Sequence, residues 1–243
     1  MTLWRVYENG KPLVTKHFLP WSKVGAKDGE AVFTSGHPGA TQRLNTVAHL
    51  EFLRDFALPL SLSTFTEMRI ALEAYAKKGP EQERQAKDEF FGIENSLKSW
   101  NGQLRGLEDP ALLNKKRADE NALRDRVNAE TELKATYGEA WDMVATARRT
   151  LPPYNLERVF FESGLGLYAQ YFTIARTLVR WAEESGKPNG LRLPEFTDAR
   201  KASLERQMAS AAPIYPGVEQ AKFEAGLAVM QKRLGASHAL VQQ

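Results

Sequence analysis

The stretch Leu44-Asn45-Thr46-Val47-Ala48-His49-Leu50-Glu51-Phe52-Leu53-Arg54-Asp55-Phe56-Ala57-Leu58-Pro59-Leu60 decides the fold class. Val47, Leu50, Leu53 and Phe56 with Ala57 recur every three or four residues, which stacks them on one face of an α-helix. Before Leu44 the pattern is different. Leu3-Trp4-Arg5-Val6-Tyr7 alternates and is rich in β-formers, Glu8-Asn9-Gly10-Lys11-Pro12 is turn chemistry, and Lys27-Asp28-Gly29-Glu30 marks a second turn. Ala31-Val32-Phe33-Thr34-Ser35 reads as a short strand running into Gly36-His37-Pro38-Gly39. Residues 1–43 are therefore expected to be β-rich, with two or three strands. Residues 44–243 are expected to be an α-helical bundle, making the chain mainly α.

Outward from Leu44 the helical signals continue. Pro59 is expected to interrupt the first helix, because it lacks an N–H and crowds the preceding turn. A second helix is expected over about Ser61–Lys78, stopped by Gly79-Pro80, and a third from near Glu81, carrying Phe90, Phe91, Ile93, Leu97 and Trp100. Asp109-Pro110 reads as an N-cap followed by proline at the first helical position. Ala111–Ala129 has few large apolar residues (Leu112, Leu113, Leu123, Val127), which suits a partly solvated helix with a narrow buried stripe. A helix over Glu130–Thr150 is expected to end at Leu151-Pro152-Pro153. Asn155–Ser185 is the most apolar stretch and is expected as one helix at the centre of the bundle. Two last helices, Phe196–Ser210 and Val218–Leu234, are separated by Pro213-Ile214-Tyr215-Pro216.

Composition narrows the chemistry. With no cysteine among 243 residues, a disulfide framework, a Cys-zinc site and a cysteine nucleophile are all excluded. Lys and Arg number 33 against 30 Asp and Glu, so the net charge of +3 makes a weak case for nucleic acid. The basic clusters Lys77-Lys78 and Lys115-Lys116-Arg117 are short, with acidic neighbours and no aromatic interleaving. No apolar run approaches the ~20 residues that span a bilayer, and Met1-Thr2-Leu3-Trp4, with no basic residues and no long apolar run, is not expected to begin a signal peptide.

No Gly-x-Ser-x-Gly elbow is present, and Ser163 follows Phe161-Glu162 on an amphipathic stretch. The histidines His17, His37, His49 and His238 lack metal-ligand spacing, so neither metal nor cofactor is expected; His49, beside Leu50 and Leu53, reads as structural. Gly36-His37-Pro38-Gly39-Ala40-Thr41-Gln42-Arg43 could turn backbone N–H groups toward an anion, but lacks the Gly-Lys-[Ser/Thr] of a P-loop. It is expected to be a structural corner from strand to helix, set by Gly36, Pro38, Gly39, Thr41 and Arg43.

Five groups of residues together resemble one family. They are Arg5-Val6-Tyr7 with Gly10-Lys11-Pro12; Gly36-His37-Pro38-Gly39-x-Thr41-x-Arg43; Leu53-Arg54-Asp55 with Leu58-Pro59-Leu60; Ile93-Glu94-Asn95-Ser96-Leu97-Lys98 with Gly102-Gln103-x-Arg105-Gly106-Leu107; and Arg192-Leu193-Pro194-Glu195-Phe196 followed by Ala212-Pro213-Ile214-Tyr215. In this order and spacing the chain resembles bacterial serine dipeptidyl-peptidases of the dipeptidyl-peptidase seven and eleven type.

The resemblance implies a chymotrypsin-clan enzyme whose double β-barrel carries a large helical insert. Residues 1–43 would then be the end of a barrel segment, and residues 44–243 a helical lid. It places the catalytic Asp and His before Met1 and the Ser, in a Gly-Asn-Ser-Gly motif, after Gln243, so no catalytic residue is expected in this chain and the chain alone is expected to be inactive. It implies that Asn95 holds the free N-terminus of an oligopeptide substrate, that Lys98 lies at the surface and that Trp100 packs. The implied partners are the peptidase barrel of the same enzyme and a possible homodimer, and the implied home of the full-length enzyme is periplasmic or secreted. The alternative reading is a stand-alone helical interaction or scaffold protein without enzymatic activity.

Overall fold

A computed structural model describes residues 4–33, 42–162, 164–165 and 167–242. Helix accounts for 72% of the chain, and the described β structure is one two-stranded sheet, so the protein is mainly α with a short β segment. It divides into two compact units, Met1–Gln42 and Arg43–Gln243.

The first unit holds an antiparallel hairpin of β1 (Tyr7–Glu8) and β2 (Lys11–Pro12), with Tyr7 opposite Pro12 and Glu8 opposite Lys11. Asn9 (φ 51°) and Gly10 (φ 73°) form its turn; two positive φ angles match the right-handed twist of the flanking strands, which is why Asn-Gly occupies such turns. Lys27–Glu30 closes as expected: the Glu30 N–H donates to the Lys27 carbonyl (3.1 Å) and the Lys27 N–H to Glu30 Oε2 (2.8 Å). The strands are shorter than the alternation predicted. Trp4–Val6 and Ala31–Phe33 are not strand, and the rest of the expected Ala31–Ser35 strand lies outside the described residues. Extended residues become a strand only against a partner, and the described residues offer none beyond the hairpin. Trp4, Phe18, Leu19, Trp21 and Phe33 are 75–97% exposed, so this unit has no buried apolar core of its own among them.

The second unit opens with α1 (Val47–Phe52), a π-helical turn (Leu53–Ala57) and α2 (Leu58–Ala76) as one continuous helical run. Thr46 caps it, its hydroxyl accepting from the His49 N–H. Pro59 does not interrupt the helix. The π turn adds a residue just before it, so the Leu58 N–H bonds back to the Leu53 carbonyl and the chain passes the proline without a break. After the Lys77–Gly79 turn, α3 (Pro80–Glu108) returns antiparallel to α2. Asp109 then caps α4 (Pro110–Ala129), Oδ1 accepting from the Ala111 N–H at 2.9 Å, as Asp-Pro predicts. In α4 the buried stripe narrows to Leu113 and Val127, while Leu112 and Leu123 are exposed.

Two expectations fail in the next stretch. The predicted Glu130–Thr150 helix is split into α5 (Thr131–Tyr137) and α6 (Ala140–Glu157), and α6 runs through Pro152 and Pro153 to a second π turn, Arg158–Glu162. These prolines forgo only the bonds to the Arg148 and Arg149 carbonyls, and Arg149 and Pro153 lie on the exposed side of the helix. The apolar Asn155–Ser185 stretch is neither one helix nor central. Gly164 takes a positive φ (68°) and the Leu165 N–H bonds back to the Val159 carbonyl (3.0 Å), which ends the run; α7 (Gln170–Ser185) starts afresh. Phe160 is buried in the core, but Tyr168, Tyr171, Leu178 and Val179 are 43–61% exposed, so the apolar content of the second half of the stretch does not all face the core. The remaining helices, α8 (Asp198–Met208), α9 (Pro216–Leu234) and α10 (Ala239–Gln242), follow the sequence reading of two helices parted by a proline-bounded loop, plus a short terminal turn.

The core lies between α2, α3 and α9. Phe65, Met68 and Leu72 of α2 interlock with Ala86, Ile93 and Leu97 of α3 and Val218 of α9. Leu60 of α2 extends this to Phe160, Val229 and Met230, and Leu50 and Leu58 pack on Leu107 and Leu113. α9 approaches α2 closely at Gly217, where an added Cβ would sit 2.6 Å from the Tyr75 ring.

Candidate functional site

The long helix α3 carries the residue singled out as an amine anchor, and its two faces differ sharply. Its N-terminus is secured by Pro80 and by Glu81, whose carboxylate accepts from Arg84 (2.7 and 2.8 Å) and Gln85 (2.9 Å). These hydrogen bonds, Arg84 first, lower the Glu81 carboxyl to about 2. The inner face is fixed by Ala86, Ile93, Leu97 and Leu107, all buried. Trp100 packs edge-on to Phe65 at 4.7 Å, as expected of it.

Asn95 falls between Ile93 and Leu97 and so points away from the core. It is exposed, and its carboxamide makes no hydrogen bond to any described residue. Its neighbours are engaged: Glu94 pairs with Arg69 (3.6 Å) and the Ser96 hydroxyl donates to the Gly92 carbonyl (2.9 Å). Lys98, one turn on, is exposed. Asn95 therefore stands on the exposed face of α3, its side-chain oxygen accepting from no described residue.

Sequence reasoning missed what surrounds it. Gly92, Asn95, Ser99, Gly102 and Gly106 follow one another at spacings of three and four, which lines them along one face. At Gly92, Gly102 and Gly106 a Cβ would meet nothing within 4 Å, so packing inside this chain does not require any of these glycines. Each costs about 1 kcal/mol in a helix interior relative to alanine. The signal was visible as glycine at helical spacing.

A second polar cluster braces the other side of α3. Lys222 of α9 is 2% exposed and reaches Glu89 of α3 (2.8 Å) and Glu219 (2.7 Å). Burial works to lower its pKa, but the hydrogen bonds from its ammonium to Glu219 and Glu89 outweigh that and hold it above the usual lysine value. Near the α2–α3 turn a cleft of about 470 Å³ is lined by Ala76, Pro80, Glu83, Lys87, Phe90 and Phe91.

Of the proposed corner, Gly36, Pro38, Gly39 and Thr41 lie outside the described residues. Arg43 is exposed, and its carbonyl accepts from Lys116 Nζ (2.7 Å). His49 Nδ1 meets the Thr46 hydroxyl (2.8 Å), and burial, then Arg148, lowers its pKa; the sequence reads it as structural, and the contact puts it at the α1 cap. His238 Nε2 meets Glu157 (3.0 Å). Among the described residues no cluster of His, Cys, Asp and Glu suits a metal ion, and no helix is long and apolar enough to cross a membrane.

Comparison with known proteins gives the family. All of residues 1–243 match the family Peptidase S46. The chain belongs to the peptidase S46 family. Two curated relatives are each named Asp/Glu-specific dipeptidyl-peptidase. The one from Capnocytophaga gingivalis is 23% identical over 145 residues, 60% of this chain and 20% of the relative. The one from Flavobacterium psychrophilum is 23% identical over 158 residues, 62% of this chain and 21% of the relative. This S46 chain thus covers about a fifth of the length of the relatives it matches. No solved structure matches it.

Proposed function

We propose that this S46 chain is the helical lid of a serine dipeptidyl aminopeptidase, the part that covers the cleft and holds the substrate's free N-terminus while the chemistry is done elsewhere. The observation that carries the reading is the unengaged Asn95 carboxamide on the glycine-lined face of α3. A peptide ammonium donates up to three hydrogen bonds and needs acceptors; the Asn95 side-chain oxygen is one that no described residue engages. Glycines on either side let a peptide backbone, or the wall of a cleft, come close to the helix. The S46 family match and the dipeptidyl-peptidase relatives support the reaction class.

In the intact enzyme a Ser/His/Asp barrel would perform acyl transfer, releasing dipeptides from oligopeptides. Residues 1–43, with their exposed Trp4, Phe18 and Trp21, would complete their packing against that barrel, and the enzyme would work outside the cytoplasm, periplasmic or secreted. A lid would raise the effective concentration of the bound amine at the barrel and exclude water and longer N-terminal extensions. The isolated chain would bind without cutting.

Titrating ¹⁵N-labelled chain with a free-amine oligopeptide tests this. Chemical-shift changes are expected around Gly92, Asn95, Ser99 and Gly102, with the peptide recovered intact. Changes confined to other helices, or release of dipeptides, would overturn the proposal.

A further inference from the structure

Helix α7 is attached differently from every other long helix in the second unit. None of its apolar side chains joins one of the three buried clusters, and its one fully buried residue is charged, Glu184. Tyr171, Leu178 and Val179 remain 48–61% exposed. Its attachments are polar. At its start, the buried Glu219 carboxylate accepts from the Gln170 and Tyr171 N–H groups while holding Lys222 at 2.7 Å. Along its side, Arg180 binds both oxygens of Glu162 (2.7 Å each) and Arg176 donates to the Phe161 carbonyl (3.2 Å). At its end, Glu184 accepts from the Leu193 N–H (2.7 Å) and pairs with Lys187. Just before α7, Leu167 and Ala169 are buried, at 6% and 4% exposure.

We propose that α7 is a hinged arm that pivots on Leu167 and Ala169 and is held down by carboxylate latches at both ends and an arginine clasp along its side. Such attachments have discrete made and unmade states, and swinging the helix away would uncover the half-buried Phe172, Ile174 and Trp181 but no member of a buried core cluster. The Glu219 latch is the decisive one. The same carboxylate caps α7 and neutralises Lys222, which is anchored to α3 through Glu89, so undocking α7 leaves the α3–α9 joint intact. This inference stands apart from the proposed peptidase role and needs only the geometry of this chain.

Hydrogen exchange followed by mass spectrometry on the whole chain tests it. Amides of residues 174–185 are expected to exchange at least tenfold faster than those inside α2 and α3. Glu219→Ala should accelerate α7 by at least fivefold more than it accelerates α2 and α3, which also lose some protection because Lys222 is left with Glu89 alone, and Leu178→Ala should leave all three within twofold. If Glu219→Ala does not fold, Glu162→Gln, which weakens the exposed clasp, should give the same selective acceleration. α7 exchanging at the rate of α2 and α3, every element accelerating together, Glu162→Gln leaving α7 unchanged, or Leu178→Ala matching Glu219→Ala would each overturn the proposal.

Discussion

Gly217 shows how much a single hydrogen can matter. The Tyr75 ring lies where a Cβ would go, and its hydroxyl is tied to Gln85 Oε1 at 2.6 Å, so the ring cannot step aside without giving up that bond. Gly217→Ala should improve helix propensity by up to about 1 kcal/mol and yet destabilise the chain by ~1–3 kcal/mol, because overpacking a close contact outweighs it. Urea unfolding reads the sign directly: a higher midpoint for Gly217→Ala would show that α9 shifts at little expense. Residue-level chemistry was unevenly legible in the sequence. His49 was readable as structural because Leu50 and Leu53 flank it on a packed stripe. The Lys222–Glu219–Glu89 group was not, since two of its members sit three apart on an ordinary-looking helix and the third is 133 positions away. No local pattern announces that a lysine will be buried.

Elements were readable where local chemistry decides and misread where tertiary context does. Asp109-Pro110 is the clearest success: a carboxylate placed to cap, then a proline whose missing N–H was unneeded. Asp109→Ala should destabilise the chain by about 1 kcal/mol, and Asp109→Asn by far less, since asparagine caps as well. Thermal unfolding of the two variants side by side checks this; equal losses would mean that charge rather than capping matters there. Prolines were the main source of error. Pro59 is absorbed by a π turn and Pro152-Pro153 by a surface stretch of α6, so neither ends a helix. In α7 apolar content misleads for another reason: it does not say where a helix face can go. Its Tyr171, Leu178 and Val179 are apolar but not interior, and its polar anchors are spread across α9, the Arg158–Glu162 turn and the loop after Ser185.

At the scale of the molecule, the change of period near Leu44 carried the fold class: helices follow from it, and the hairpin at Asn9-Gly10 precedes it. What the sequence could not supply is which helices make the core, because α2, α3 and α9 meet through contacts between positions far apart in the chain. The face proposed to meet substrate is a similar case. Asn95 came from family resemblance, whereas the glycines beside it gained meaning only once α3 was seen to leave that face uncovered.

The central claim is that Asn95 accepts a hydrogen bond from a substrate ammonium, and the most direct measurement is the affinity of one oligopeptide, with its amine free or acetylated, for the chain and for Asn95→Ala. A hydrogen bond to a charged group is worth about 1.5–3 kcal/mol, so the free amine should bind the unaltered chain roughly ten- to a hundredfold more tightly than the acetylated peptide. Asn95→Ala should erase that difference without lowering stability. Equal affinity for the two peptides, or a preference for the free amine that survives Asn95→Ala, would contradict the account.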